Sequence, residues 1–103
     1  MAKPIEVASN TAALAQHKGL THIEVSEVGE YPCPAYEPIG TYMERIVDEG
    51  DKDDAIAVYW AVYARIEGEG AWWLADFEDE DDAVAFAEGF AAACPRKPVV
   101  HYV

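Results

Sequence analysis

The sequence has few of the residues that build catalytic, metal and disulfide sites. Its 103 residues include two cysteines, Cys33 and Cys94, and three histidines. Two cysteines are too few for a disulfide framework, and neither has a CxxC or histidine-rich neighbourhood typical of zinc. His17, His22 and His101 share no ligand spacing such as HExxH. We therefore expect two free thiols, no metal, no cofactor and no catalytic residue, so that the protein is not an enzyme.

Positive charge is also scarce. Seven lysines and arginines stand against 20 acids, giving a net charge of -13. A field of this sign repels nucleic acid and anionic membranes and attracts basic surfaces. Composition therefore predicts a basic protein partner and neither direct nucleic-acid nor membrane binding. Several of the bases lie near the ends of the chain, at Lys3, Lys18, Arg96 and Lys97.

Long apolar runs and a targeting segment are missing as well. No run approaches the roughly 18 apolar residues that cross a bilayer. The opening MAKPIEVASN does not place a basic stretch before an apolar one, as a secretion signal does. We expect a cytoplasmic protein. Its length and its 51% hydrophobic content predict a single domain over residues 1–103.

The clearest fold signal is an aromatic hairpin followed by a helix. Residues 55–67 and 70–77 predict two strands around a Gly68-Glu69 turn, with Trp60 opposite Phe77. The same register places Tyr59, Tyr63, Arg65 and Trp72 together on the second face. A helix is predicted from Asp79, as N-cap, to about residue 93, where Pro95 follows.

The remaining segments complete a predicted ferredoxin-like fold. They are a short capped helix after Asn10, a strand at 21–28, a proline-rich loop at 29–38, an amphipathic helix at 39–49 and a last strand at 98–103. The order from residue 21 predicts an α+β, βαββαβ antiparallel sheet with two helices on one face and a short N-terminal helix. The alternative is a ββαβ unit with an irregular N-terminal wrap.

One acidic cluster covers the end of the predicted helix at 39–49 and the turn after it, and a second follows the hairpin. Calcium loops space their ligands and contain a tight-turn glycine, and neither cluster has that pattern. Helix capping and compensation of the helix dipole account for part of the charge. The surplus would form closely spaced carboxylates that imitate a phosphate track. The clusters are Asp48, Glu49, Asp51, Asp53 and Asp54, and Glu78, Asp79, Glu80, Asp81 and Asp82.

The second sheet face carries Tyr59, Tyr63 and Trp72. Aromatic residues on a sheet can stack bases, but such a site also needs basic residues for the phosphates, and only Arg65 is predicted there. Two alternatives stay open. Either the N-terminal helix or a second subunit covers the face, or the face is an exposed protein-binding patch.

With its small size, strong acidity and lack of an active site, the protein resembles the small acidic inhibitors of phages and mobile elements, including anti-CRISPR proteins and antirestriction DNA mimics, and it also resembles nuclease immunity proteins. The resemblance is one of overall character. It implies a non-enzymatic inhibitor, in the host cytoplasm, that binds the basic nucleic-acid-binding surface of a nuclease or CRISPR-type complex as a DNA mimic. The ten clustered acids would contact that surface, with Tyr59, Tyr63 and Trp72 as apolar anchors.

A different hypothesis is a homo-oligomeric interaction module in which the second sheet face is the dimer interface and acidity only maintains solubility. Its ββαβ order is similar in outline to HicB-type antitoxin domains. A ligand-binding domain or small enzyme of ferredoxin-like shape is a third hypothesis, disfavoured because no His, Cys and Lys residues converge in the sequence.

Overall fold

The computed structural model describes residues 6–32 and 40–102, which form an α+β domain around a six-stranded mixed sheet. None of the helices within these ranges is long and apolar enough to cross a membrane. The elements are β1 (Glu6–Val7), α1 (Thr11–Ala15), β2 (Leu20–Pro32), β3 (Thr41–Arg45), a 3₁₀ helix (Glu49–Lys52), β4 (Ala57–Ile66), β5 (Gly70–Phe77), α2 (Glu80–Ala93) and β6 (Val99–Tyr102).

The sheet has the order β1-β5-β4-β2-β3, and β6 also pairs with β2. The 13-residue β2 lies at its centre, with β4 along one edge. Its other edge is divided between two strands. Residues 22–25 pair with β6 in parallel, and residues 28–32 pair with β3 in antiparallel orientation. This division is possible because β2 is longer than either neighbour.

The core lies between the sheet and α2. Residues Ile23, Val62 and Phe77 of the sheet are completely buried against Ala83 and Ala87 of the helix. The small alanine side chains let the helix approach the strands closely, so the larger sheet residues fill the space between them. Leu14 of α1 belongs to the same buried cluster. Both helices therefore pack on one face of the sheet.

The predicted ferredoxin-like fold is wrong because residues 41–45, within the helix predicted at 39–49, form a strand, and the strand order does not match that fold. Residues 41–45 pair with β2 over five positions, and Tyr42 stacks on Tyr31 with ring centroids 5.5 Å apart. Thr41 and Tyr42 favour a strand, and contacts with a distant strand override the helical spacing. Tyr42, Met43 and Val47, whose apolar spacing suggested the amphipathic helix, are exposed.

The N-terminal part also departs from the alternative ββαβ plan. The ββαβ order exists in β4, β5, α2 and β6, but β1, β2 and β3 are strands of the same sheet rather than an irregular wrap. The strand predicted at 21–28 is confirmed, and it continues through Gly29 to Pro32, where the sequence predicts a loop. Cys33 and the remainder of the proline-rich loop lie outside the described residues.

The hairpin register is confirmed in one half and wrong in the other. Trp60 pairs with Phe77 and Val62 with Ala75 as predicted, but a β-bulge follows, and Tyr63 pairs with Trp73. The turn spans three residues rather than two, with Ile66 opposite Gly70. Gly68 and Gly70 have φ angles of 80° and 90°, which side chains disfavour. Beyond the bulge, every residue of β5 faces the side opposite to the predicted one.

Candidate partner-binding surfaces

The structure brings the two acidic clusters to one end of the sheet. Trp60 of β4 pairs with Glu27 on β2 and with Phe77 on β5. The Lys52 ammonium lies 3.1 Å from the Glu27 carboxylate, which ties the first cluster to β2. Glu78 directly follows Phe77. Glu27 and Phe77, where the two clusters are attached to the sheet, therefore lie two strand spacings apart, about 10 Å. We call the ten acids of both clusters the acidic end.

Some acids of the first cluster stabilise the 3₁₀ helix. One oxygen of Asp51 accepts the backbone N–H groups of Asp48 and Val47, each at 3.1 Å. These bonds hold the pKa of Asp51 below its usual range. The Glu49 carboxylate lies 3.3 Å from Lys52. The Tyr31 hydroxyl donates to the Asp51 carbonyl oxygen at 2.7 Å, which fixes the cluster to the sheet.

Other acids have no such role. Asp79 occupies the N-cap position of α2 as predicted, although its side chain makes no capping hydrogen bond. Glu80, Asp81 and Asp82 lie in the first turn, where negative charge compensates the helix dipole. Within the described chain, six acids of the two clusters are exposed and make neither a side-chain hydrogen bond nor an ion pair: Asp53, Asp54, Glu78, Asp79, Glu80 and Asp81.

The opposite end of the sheet carries bases. Strand β4 runs about 30 Å from Ala57, three residues after Asp54, to Ile66, which pairs with Leu20. The Arg96 guanidinium donates to the Lys18 carbonyl oxygen there. Two acids, Glu67 and Glu69, also lie near this end, in the hairpin turn. Charge is therefore distributed unevenly, and the negative potential is concentrated at the acidic end.

The second sheet face is open in the described structure, because both helices pack on the other one. Tyr59, Tyr63 and Arg65 lie on it as predicted. Trp72 does not, since it pairs with Ala64 of the core face. Trp73 takes its place, and its indole N–H donates to Asp76 at 2.9 Å. The bulge that exchanges the two tryptophans leaves no mark in the sequence pattern.

The open face is a groove rather than a plane. Side chains from β3 and β5, which lie on opposite sides of the β2–β4 pair, line one cavity of about 350 Å³. Arg45 and Ala71 mark its two sides, and Ser26 and Val28 lie at its buried base. The sheet must therefore curve across its width, as the right-handed twist of strands favours.

A polar network lies at the β6 side of the groove. One Glu24 oxygen lies 3.0 Å from both His22 Nε2 and Arg65 Nε. Burial opposes ionisation of Glu24, but the bonds from His22 and Arg65 outweigh it and hold its pKa below the usual range. The His22 and His101 rings stack at 4.5 Å. Sequence reasoning missed this cluster because only the parallel pairing of β6 brings His101 beside β2.

Tyr59 is less available as an anchor for a partner protein than the sequence indicated. Its hydroxyl donates to Glu30 at 2.6 Å, and this bond, together with burial, raises the pKa of Tyr59 to about 12. A phenol held this way is a fixed part of the sheet surface rather than an adaptable polar contact.

Asp76 is half-buried on the same face. Burial raises its pKa, the bond from Trp73 opposes that rise, and Glu6 adds to it. A raised pKa means that the folded protein favours the protonated carboxyl, so stability is lost as pH rises through that pKa. We expect Asp76→Asn to raise Tm at pH 7 by about 2 to 4 °C, because the amide removes the charge and keeps the acceptor for Trp73.

Thermal unfolding monitored by circular dichroism measures this effect. At about pH 3 the gain should disappear, since the carboxyl is then protonated in both states. Glu88→Gln, at an exposed position on α2, is the control and should leave Tm unchanged. A gain that persists at low pH would contradict the electrostatic explanation.

Comparisons with known proteins found no match, so the interpretation of these surfaces rests on their geometry. No family model matches the chain, and neither a curated protein nor a solved structure matches it. Among residues 6–32 and 40–102, no three His, Cys, Asp or Glu side chains converge as metal ligands.

Proposed function

We propose that the protein is a non-enzymatic inhibitor whose acidic end binds the basic, nucleic-acid-binding surface of a nuclease or CRISPR-type nucleoprotein complex, as a DNA mimic in the cytoplasm. One observation carries the proposal. Acids from two separate segments share one end of the sheet, and six of them are exposed without a partner in the described structure. Unpaired carboxylates of this kind attract lysines and arginines and accelerate association.

The spacing of these acids supports mimicry. Duplex DNA presents about one negative charge per 1.7 Å of its axis, and proteins that bind it line a groove with lysine and arginine. Acids at neighbouring positions of the α2 first turn, together with the cluster that Lys52 ties to Glu27, two strands from Phe77, present charge from more than one element at the same end of the sheet. A single helix end would cover less of such a groove.

Apolar anchoring is better supplied by residues beside the acidic end than by Tyr59, Tyr63 and Trp72. Val47 and Ile56 flank the 3₁₀ helix and are 72% and 61% exposed. Exposed aliphatic side chains among carboxylates can pack on a protein surface, which phosphates cannot do. They would favour a protein partner over a simple counter-ion atmosphere.

The test is capture of partners from a host lysate at about 50 mM and about 500 mM NaCl, where screening differs strongly. We expect a basic nucleic-acid-binding protein that is retained at low salt, released at high salt and displaced by duplex DNA or RNA. A captured partner that nucleic acid does not displace would refute the mimic mechanism.

The homo-oligomeric alternative requires the open face to meet a second copy. A groove is a poorer self-complementary surface than a flat sheet, so the geometry supports this alternative less. Light scattering tests it directly, since a monomer has a mass of 11.3 kDa.

A further inference from the structure

A second cavity on the open face has the character of a cation site. Its volume is about 320 Å³, and its lining residues are Glu6, Met43, Tyr63, Trp73 and Asp76. Glu6 and Asp76 are cross-strand partners in β1 and β5, so their carboxylates start from adjacent backbone positions. Two aromatic rings and a thioether form the rest of the lining.

The two carboxylates have no basic partner within the described chain. The salt bridges formed there involve Glu24, Glu27, Glu49 and Glu69, but neither Glu6 nor Asp76. The Trp73 N–H occupies one oxygen of Asp76. The other oxygens remain free to accept. A half-buried carboxylate beside a second one is electrostatically unfavourable, and a cation between them would relieve the repulsion.

We propose that this cavity binds a primary alkylammonium group, such as a lysine side chain presented by a partner. The ammonium has three donors, which two carboxylates can accept together. The methylene stem would lie against Met43, Tyr63 and Trp73, and the ring faces attract the positive head. A quaternary ammonium lacks donors and would leave the carboxylates unsatisfied.

This site is separate from the acidic end and does not rest on the proposed function. Asp76 pairs with Ala61 on the open face, whereas Phe77 and Trp60, which lead to the acidic end, belong to the helix face. Loss of one site should therefore leave the other intact.

The test is a titration of the full chain with n-butylammonium chloride at constant ionic strength, followed by the indole N–H signals in ¹H–¹⁵N spectra. Trp60→Phe and Trp72→Phe assign the Trp73 signal by elimination. We expect a saturable shift of that signal with a Kd of about 1 to 10 mM, as suits so small a ligand. Asp76→Asn and Glu6→Gln should each weaken binding at least about fivefold.

Glu88→Gln is the control for general attraction to an acidic protein, and its Kd should equal that of the wild type. The proposal is overturned by a shift that does not saturate, by an unchanged Kd in both carboxylate variants, or by equal affinity for n-butanol. Tighter binding of butyltrimethylammonium or butylguanidinium would overturn the assignment to a primary ammonium. Broadening that depends on protein concentration alone would indicate a second copy in the groove instead.

Discussion

Replacing Asp54 and Asp81 by lysine is expected to weaken binding to the captured basic partner by at least about 100-fold, because each substitution places like charges in contact across the interface. One residue comes from each half of the acidic end. Both are exposed and make no side-chain hydrogen bond within the described chain, so the fold should persist. Surface plasmon resonance at low salt measures the loss, mostly as a slower association.

The matched control is Glu67→Lys with Glu88→Lys. Both pairs change the net charge from -13 to -9, since each reversal adds two charges. Glu67 lies at the hairpin turn and Glu88 on the outer side of α2, away from the acidic end. We expect the control to retain affinity within about threefold. Equal losses in both variants would mean that net charge alone, rather than its placement, determines binding.

The hairpin and α2 could be predicted because their signals are local. Glycines mark the turn, Asp79 and Pro95 bound the helix, and alternation marks the strands. Strand β3 could not, because Tyr42 and Met43 fit a helical stripe as well as a strand. What decides between the two is pairing with β2, about a dozen residues upstream, and no local pattern records it.

The candidate surfaces, too, could be predicted only where local sequence patterns mark them. Both acidic clusters are visible in the sequence, but their proximity depends on β4 lying between β2 and β5. The exchange of Trp72 for Trp73 depends on one bulge. The pairing of Glu6 with Asp76 depends on β1 joining the sheet edge beside β5, and a two-residue strand carries almost no pattern of its own.

Phe77→Ala is expected to lower the free energy of unfolding by about 3 to 5 kcal/mol, a large part of the total for a domain of this size. The ring is completely buried, it lies 5.3 Å from that of Phe86, and it is opposite Trp60. Its loss removes apolar contact and leaves a cavity that the surrounding backbone cannot close. Urea unfolding followed by tryptophan fluorescence measures the change in midpoint.

Two further variants distinguish a cavity from a general effect. Phe77→Leu keeps much of the volume and should cost less than about 2 kcal/mol, whereas Val99→Ala, at a position 64% exposed, should cost less than about 0.5. A cost for Phe77→Ala as small as that of Val99→Ala would contradict the register. Because the Phe77 ring packs against Phe86 of α2, it also helps to hold this helix against the sheet. Binding by the acidic end should therefore be lost in Phe77→Ala at temperatures where this variant is unfolded, and should return on cooling together with its fold.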